Sequence, residues 1–395
     1  MRFMNIANTA IARGHKITFF TTTFKHGSKS QRFEQNTYQT IEEGKYDLVF
    51  IHSRPYKKNI SLERITAHYD LGEKLLKEIQ GRKEKPDLIY ISLPPLSTVD
   101  AICKWGRQNN VPVIVDIIDP WPDVFLKVFP PAIRTLAQIP LNPFYRKLRR
   151  IMNCCSGLTA ISNQYLSWAK SFTKGKVESE VFFPAVPFEE ITEALQKVSS
   201  VHQKDNNKLR IVYTGSLSSS YDIPCILNAA AILEEKFPGK TEFVLAGAGP
   251  QEGLIHERNL KNVQFLGWIG QEEMYQQFYL SHLGLTQHVK GATQSVTYKL
   301  FDYLSAGLPI LNSLESEMAE IIEKNKVGFN NKCSDANELA TNIERFLLDK
   351  DLLDQYSKNA LALTAQLGDG TVVYNKLLDF IERIQQKNFS KAIVE

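Results

Sequence analysis

The chain alternates short apolar runs with longer stretches in which apolar residues recur every three or four positions. The first pattern predicts β-strands and the second predicts amphipathic helices. Ten runs predict strands, five in each half of the chain, at 16–22, 46–52, 87–93, 111–118, 157–162, 209–215, 241–247, 263–269, 283–289 and 308–313. Several are apolar almost throughout, which is typical of strands buried on both faces of a parallel sheet. The pattern therefore predicts an α/β protein.

The two groups of strands predict two doubly wound, Rossmann-like domains. The chain has 395 residues, and about 150 residues make an ordinary domain, so each half can bury its own core. We place the domains at 1–190 and 209–370, with a polar linker at 191–208 and a C-terminal helix at 371–395 that packs back towards the first domain. Ligands of such sheets bind beyond the carboxyl ends of the strands. With the two domains facing each other across a cleft, functional residues are expected directly after strands.

Composition excludes several classes of protein. Hydrophobic residues make up 43% of the chain and charged residues 23%, which is ordinary for a globular protein. No apolar run resembles a membrane span or a signal sequence, so we expect a cytoplasmic protein. The net charge of +4 is too small to indicate nucleic acid as a partner. The 5 cysteines and 8 histidines show no metal-ligand spacing, so we expect free thiols and no bound metal.

Positive charge is concentrated in the segment 125–152. This segment mixes apolar and aromatic residues with Arg146, Lys147, Arg149 and Arg150. Such a segment can lie on an anionic membrane surface, with its apolar side down and its cations at the lipid headgroups. A solvated basic helix with an ordinary core stripe gives the same pattern, so both interpretations stay open.

Two glycine-containing turns follow strands in the second half. Gly215 and Ser216 follow one strand, and Gly247, Gly249 and Pro250 follow the next. Glycine lets the backbone come close to a flat or phosphorylated ligand. The spacing of the second turn does not fit the dinucleotide fingerprint, so we expect no NAD. For the first turn, a plain surface loop remains the alternative to a phosphate-binding loop.

The stretch 295–311 predicts a loop, a short helix and a strand. Ser295 and Thr297 are candidate N-caps of the helix. A helix N-terminus presents N–H groups and a positive dipole to a diphosphate, and Lys299 adds a cation. Asp302, one turn further on, can accept hydrogen bonds from the two vicinal hydroxyls of a ribose. The stretch therefore predicts a site for a nucleoside diphosphate.

In the first half, DIIDPWPD at 116–123 comes directly after a strand. Asp119 is held there between Pro120 and Pro122 and shielded by Trp121, where a carboxylate would point into the cleft. A helix-capping aspartate beside a core tryptophan is the structural alternative.

With these residues the chain resembles the family 4 retaining glycosyltransferases, which have the GT-B fold, and among them the bacterial enzymes that build capsule and O-antigen repeat units. The sequence TYKLFDY at 297–303 is similar to the subgroup's PSKLFEY, and Gln294 stands where the wider family has an acid. The resemblance implies that the donor is bound by residues on the second domain, namely Gly215, Ser216, Gly247, Gly249, Pro250, Thr297, Lys299 and Asp302. The Arg and Lys that are common beside the phosphate in the wider family are missing.

The first domain carries the acceptor-side part of the resemblance. Residues 119–122 match the subgroup's D-x-W-P core, and Tyr56, Asn59 and Arg64 match its acceptor-side loop. The resemblance gives Asp119 a catalytic role, orienting the acceptor hydroxyl or assisting its deprotonation. Family members begin with a strand and a glycine-rich turn ahead of the helix with which this sequence opens, so we expect that strand and loop to be missing from it.

The resemblance implies a glycosyltransferase that moves a sugar, with retention of configuration and without a metal or other cofactor. The implied donor is a nucleoside diphosphate sugar, specifically a UDP-sugar, bound by the second domain. The implied acceptor is a lipid-linked saccharide at the inner face of the plasma membrane, bound by the first domain. Two alternatives stay open: a nucleotide-sugar epimerase of the same fold, which needs no acceptor, and a truncated, inactive protein that only binds the donor.

Overall fold

The structure is a computed structural model that describes residues 2–41, 46–59, 61–126 and 129–394. The chain divides into two compact units. Unit 1 comprises Met1–Phe182 and Tyr374–Glu395, and unit 2 comprises Phe183–Val373.

Unit 1 is built mainly on parallel strands with helices between them. Its elements in the described residues are α1 (Arg2–Ala12), β1 (Ile17–Thr22), β2 (Phe24–Lys25), β3 (Ser30–Gln31), β4 (Thr37–Ile41), β5 (Tyr46–Ile51), α2 (Leu62–Gln80), β6 (Ile89–Leu93), α3 (Leu96–Gln108), β7 (Val113–Ile117), α4 (Asp123–Leu126), α5 (Arg134–Ala137), α6 (Asn142–Met152), β8 (Gly157–Ala160), α7 (Asn163–Lys170) and β9 (Glu178–Val181).

The strands of unit 1 form a four-stranded sheet, a three-stranded sheet and a short hairpin. The order β6-β7-β8-β9 is parallel throughout, whereas in β1-β5-β4 only the β4 pairing is antiparallel, and β2 pairs with β3 in the hairpin. Ile102 of α3, Val115 of β7 and Leu148 of α6 belong to one buried apolar core. Arg2 Nε lies 2.8 Å from Asp116 Oδ2, a fully buried ion pair that ties α1 to β7.

Unit 2 alternates strands and helices regularly. Its elements are α8 (Phe188–Val201), β10 (Leu209–Thr214), α9 (Ile223–Lys236), β11 (Thr241–Ala246), α10 (Glu252–Arg258), β12 (Val263–Gly267), α11 (Gln271–Leu280), β13 (Leu283–Thr286), α12 (Tyr298–Ser305), β14 (Ile310–Asn312), α13 (Glu317–Asn325), β15 (Gly328–Asn330), α14 (Ala336–Leu348), α15 (Lys350–Leu363) and the start of α16 (Gly370–Val394).

The sheet of unit 2 is parallel, in the order β12-β11-β10-β13-β14-β15. Neighbouring residues of β10 face opposite sides of it: Tyr213 packs into a core with α9 and α14, while Val212 packs into a second core with α11 and α12. Side chains alternate in this way along any strand, so helices on both faces leave each strand apolar throughout. The predicted doubly wound architecture is confirmed for this unit.

All ten predicted strands are present, each shortened by one to three residues. The additional strands are β4, β9 and β15, which lie at the edges of their sheets, and the two-residue strands β2 and β3. The strands β4 (TYQTI) and β9 (ESEV) are largely polar and β15 (GFN) has only three residues, so they lack the apolar run that marked the others.

The stretch 191–208, predicted as a linker, is largely helical. Helix α8 runs from Phe188 to Val201, and Ile191 is 1% exposed in the core of unit 2. The prediction was wrong because the polar face of this amphipathic helix dominates its composition, while its few apolar residues pack against unit 2. Helix α16 joins unit 1 from Tyr374 onward, and Phe380 packs there against Phe182.

Candidate functional site

The turns after β10 and β11 pack against each other through their backbones. Gly215 N donates to Ala246 O and Leu217 N to Ala248 O, both at 2.9 Å. At Gly247 φ is +149°, and a Cβ there would lie 1.7 Å from Gly215 O. Gly247 is therefore required by the neighbouring turn, a reason that sequence reasoning did not provide.

The other predicted residues of these turns lie close to the surface. Gly249 N donates to Glu252 Oε1 at 2.7 Å, and the Tyr213 hydroxyl donates to Ser216 O at 2.5 Å. Ser216 and Pro250 are exposed. The Ser216 hydroxyl can therefore reach a ligand bound beyond β10.

Lys299 lies in the first turn of α12 and reaches the turn after β10. Its Nζ is 4.3 Å from the ring centroid of Tyr221 and 5.2 Å from that of Tyr213. A Cβ at Gly215 would lie only 2.4 Å from this Nζ, so the glycine makes room for the lysine. Among the described residues Lys299 forms no ion pair with a carboxylate. The two aromatic faces hold its ammonium group in place by cation–π attraction, and its charge stays available for an anion.

Helix α12 begins as predicted, with Thr297 as the N-cap residue. The Thr297 hydroxyl donates to Met318 Sδ at 3.6 Å and makes no capping bond, while Leu300 N donates to Thr297 O at 3.1 Å. The first turn of the helix is thus held by its backbone. A ligand can take the place of the missing side-chain cap.

Asp302 follows Lys299 by three residues and is partly buried. Within the part of the chain that the structure describes, its carboxylate has no hydrogen-bond partner. Burial raises the pKa of Asp302 to about 7, although the nearby Lys299 acts in the opposite direction. A buried carboxyl group with such a pKa is a common feature of binding and catalytic sites.

His288 was missed by sequence reasoning. It is fully buried, its Nδ1 is 3.2 Å from Thr286 O, and its ring centroid is 4.9 Å from that of Tyr221. Burial and the charge of Lys299 lower the pKa of His288 to about 4, so the ring is neutral and Nδ1 donates to the carbonyl. Its Nε2 is then an acceptor, and it has no partner in the described residues. We predicted a strand at 283–289, which hid this residue; β13 in fact ends at Thr286.

Gln294 provides another acceptor without a partner. Its Oε1 is buried and makes no hydrogen bond in the described part of the chain. Lys299 lies near enough to shift the pKa values of both His288 and Asp302. The site therefore holds one cation and several hydrogen-bond acceptors without partners, at the carboxyl edge of a parallel sheet. The cation suits a phosphate group and the acceptors suit hydroxyl groups, so the site fits a ligand that has both.

Asp119 belongs to unit 1, directly after β7. Its Oδ2 accepts a hydrogen bond from Trp121 Nε1 at 3.1 Å, and Trp121 packs edge-on against Phe125. The neighbouring Asp123 accepts from Trp168 Nε1 at 2.8 Å and from the Tyr145 hydroxyl, so it ties two helices together. Asp119 lies two residues beyond the end of β7, and its side chain is partly exposed.

The basic segment 125–152 divides into two parts, and its Lys127 and Val128 lie outside the described residues. Helix α6 agrees with the interpretation as a basic helix with an apolar core stripe, because Leu148 is buried and Arg150 pairs with Asp100 at 2.6 Å. The stretch before it instead leaves large apolar side chains exposed, namely Phe129 (41%), Ile133 (44%), Leu136 (66%) and Ile139 (62%).

The described residues contain no group of three or more His, Cys, Asp or Glu side chains placed to hold a metal ion. No described helix is both long and apolar enough to cross a membrane.

The chain thus comprises two α/β units, and a polar site lies at the strand ends of the second unit. Residues 196–362 match the family model described as glycosyl transferases group 1. No curated protein matches the sequence significantly.

Solved structures resemble nearly the whole chain. Sucrose-phosphate synthase from Thermosynechococcus elongatus has a TM-score of 0.73 at 15% identity, covering 97% of this chain and 92% of its own. A UDP-forming trehalose-phosphate synthase from Burkholderia xenovorans has a TM-score of 0.74 at 12% identity, covering 96% of each chain. Anabaena HepE, in complex with UDP and glucose, has a TM-score of 0.61 at 15% identity, covering 96% of this chain and 95% of its own. The predicted GT-B fold is confirmed.

Proposed function

We propose that this protein is a retaining, metal-independent glycosyltransferase that uses a UDP-sugar as donor. The main supporting observation is the arrangement in unit 2. Lys299 Nζ lies over the Tyr221 ring, and hydrogen-bond acceptor atoms of Asp302 and His288 nearby have no partner in the described residues. The range 196–362 that matches the group 1 family model contains all of these residues. HepE, which has a similar fold, was solved with UDP and glucose, and this supports the choice of donor.

The chemistry assigned to unit 2 is stabilisation of the leaving diphosphate. Negative charge grows on the diphosphate as the bond to the sugar breaks, and Lys299 with the N–H groups at the start of α12 is placed to offset it. The turn amides around Gly215 and the Ser216 hydroxyl add donors. Asp302 accepts hydrogen bonds from ligand hydroxyls, which favours its ionised form.

The acceptor in this proposal is a lipid-linked saccharide used in surface polysaccharide synthesis, such as capsule or O-antigen. Asp119 in unit 1 orients the acceptor hydroxyl or assists its deprotonation. The exposed apolar side chains at 129–139, followed by Arg146 and Arg149 on α6, support peripheral binding to an anionic membrane at the inner face of the plasma membrane.

The donor site is tested by thermal unfolding with a panel of nucleotides and sugar nucleotides. A ligand of the folded state at about 100 times its Kd stabilises the protein by about 2.7 kcal/mol, so UDP should raise the Tm by several degrees. Lys299→Ala should weaken UDP binding at least tenfold, because a charged hydrogen-bond donor is lost. Lys324→Ala removes an exposed lysine of the same unit and should bind UDP like the wild type.

A panel in which no nucleotide raises the Tm contradicts the proposal. Conversion of one UDP-sugar into another without an acceptor, followed by mass spectrometry, would identify an epimerase instead.

A further inference from the structure

A second polar cluster lies in unit 1, in segments that follow the carboxyl ends of β1, β5 and β7. We call it the unit 1 cation cluster, and it consists of His26, Lys29, Tyr56, Arg64, His68 and Trp121. The β2–β3 hairpin, the loop after β5, helix α2 and the loop after β7 each contribute to it. Residues in such positions commonly bind ligands.

The two cations of the cluster converge on the same groups. Lys29 Nζ is 4.8 Å from the centroid of the Tyr56 ring, and the Arg64 guanidinium carbon is 5.7 Å from the same centroid. The guanidinium is also 4.8 Å from the Trp121 ring. Both cations donate to Asn59: Lys29 to the side-chain oxygen, and Arg64 Nη1 to the backbone oxygen at 2.7 Å.

Among the described residues, the charges of Lys29 and Arg64 are not paired with a carboxylate. Within the same residues Arg64 Nε is buried without a partner. Burial, followed by the charge of Arg64, lowers the pKa of Lys29 and lowers that of His68 to about 4. Cations held together without a counter-charge disfavour the fold, and natural proteins retain such conflicts mainly at functional sites.

The rim of the cluster is open to a ligand. His26 and Asn59 are exposed and Lys29 is partly exposed, while Tyr56 and Trp121 form a buried floor. The Tyr56 hydroxyl is 2.6 Å from His26 Nδ1, which fixes the ring under the cations. A charged group can therefore approach Lys29 and Arg64 from solvent without rearranging the floor.

We propose that the unit 1 cation cluster binds a phosphoryl group on the acceptor, so that the acceptor is a phosphorylated saccharide. This inference rests on the proposed function. A dianion matches two converging cations, and the planar fork of Arg64 suits phosphate oxygens. Trp121, on which Arg64 stacks, donates to Asp119, so the phosphoryl group binds close to the residue assigned to the acceptor hydroxyl. It thus belongs to the reacting end of the acceptor.

Two sources supply this chemistry, a free hexose phosphate and a saccharide linked to a prenyl pyrophosphate. The test titrates the full chain by calorimetry with a hexose 1-phosphate and, separately, with a short-chain prenyl pyrophosphate saccharide in detergent micelles. Lys29→Gln and Arg64→Gln should each weaken binding of the probe about tenfold and reduce its dependence on salt. Lys57→Gln, an exposed lysine in the same loop, should leave binding unchanged. Tighter binding of the micellar probe identifies the lipid-linked source, and tighter binding of the hexose phosphate identifies the free one.

The proposal is overturned if neither probe binds, or if both bind Lys29→Gln and Arg64→Gln as tightly as the wild type. The proposal is also overturned if binding of the probes is weakened by Lys299→Ala and by neither Lys29→Gln nor Arg64→Gln, because the probes then bind in unit 2. Lys29 lies on a short hairpin, so its variant keeps the test valid if Arg64→Gln unfolds. If the chain does not bind UDP while binding of the probes still depends on Lys29 and Arg64, the proposed donor site is contradicted and the unit 1 cation cluster is not. The failure of one proposal can therefore be told from the failure of the other.

Discussion

Asp302 links the protonation of the donor site to the stability of the fold. Its pKa of about 7 lies above the ordinary 3.8, so between about pH 4 and pH 7 the folded chain holds a proton that the unfolded chain has released. Stability therefore falls as the pH rises through this window. Asp302→Asn removes the effect and should be more stable than the wild type at pH 8, by on the order of 2 kcal/mol. Urea unfolding at a series of pH values measures the difference.

Asp351→Asn is the matched control, since Asp351 is an exposed acid of the same unit. This variant should follow the wild-type pH dependence throughout. A constant difference between Asp302→Asn and the wild type from pH 4 to pH 8 would show that Asp302 does not titrate in this range.

Gly247 makes a second residue-scale prediction. An alanine Cβ there would overlap Gly215 O at 1.7 Å, and the backbone has a φ that only glycine adopts readily. Gly247→Ala should therefore destabilise unit 2 by about 2 to 4 kcal/mol and weaken UDP binding, because the turn carrying Gly215 must move. Chemical denaturation and UDP titration measure the two effects.

Gly253 provides the control for this substitution. A Cβ at Gly253, within α10, meets nothing within 4 Å, so Gly253→Ala should be neutral or slightly stabilising. Equal losses in the two variants would contradict the packing argument.

The candidate site could be predicted only where its residues share one local pattern. Thr297, Lys299 and Asp302 lie on the first turns of one helix, so capping and spacing rules were sufficient to select them. His288 depends on where β13 ends, and strand boundaries are the least reliable part of a sequence prediction. Tyr221 reaches Lys299 only through the folded loop after β10, a contact that no sequence spacing indicates.

At the scale of elements, the apolar character of each strand decided whether it could be predicted. The central strand β7 (VIVDI) is apolar in all positions but one, whereas β9 (ESEV) and β4 (TYQTI) lie at sheet edges and are largely polar. The helix caps were more predictable. Thr297 was predicted as a cap of α12 and is its N-cap residue. A cap is recognised from a few adjacent residues, while an edge strand is defined by its neighbours.

The stretch 129–139 makes a prediction of its own. Leu136 and Ile139 are 66% and 62% exposed, and burying them in a bilayer interface would stabilise the bound state. The double variant Leu136→Ser, Ile139→Ser should lower the affinity for anionic phospholipid vesicles about tenfold or more. Vesicle cosedimentation at two salt concentrations measures it.

Leu348→Ser removes an equally exposed leucine, at 67%, from unit 2 and should sediment with vesicles like the wild type. The unfolding transition of all three proteins should be the same, since none of these side chains is buried. Unchanged vesicle binding in the double variant would exclude this stretch as a membrane contact.

At the scale of the whole molecule, the chain crosses between its units twice. The first crossing lies between Phe182 and Phe183, and the second falls inside α16, where Tyr374 begins the part that belongs to unit 1. Sequence reasoning found two halves because each has its own strand pattern. It placed the second crossing close to its position, at the C-terminal helix predicted for 371–395. It placed the first crossing too late, at the polar stretch 191–208, most of which is helix α8 of unit 2.

In the proposed mechanism Asp119 of unit 1 acts on the acceptor hydroxyl, whereas Lys299 of unit 2 binds the donor diphosphate before and during transfer. Asp119→Asn keeps the shape and the hydrogen bond from Trp121 Nε1 but removes the charge, so it should lower transfer about a hundredfold while UDP affinity stays that of the wild type. Lys299→Ala should lower both quantities, because the lysine faces the diphosphate before and during transfer. Single-turnover transfer and UDP titration on the same preparations measure the contrast.

Asp87→Asn, an exposed acid of unit 1, is the control and should match the wild type in both assays. Wild-type turnover in Asp119→Asn would remove this carboxylate from the mechanism. A parallel loss of UDP affinity would place Asp119 in donor binding instead, since a group that acts only on the acceptor hydroxyl contributes nothing before the acceptor is bound. Comparing transfer with UDP affinity therefore shows whether Asp119 acts on the acceptor or contributes to nucleotide binding.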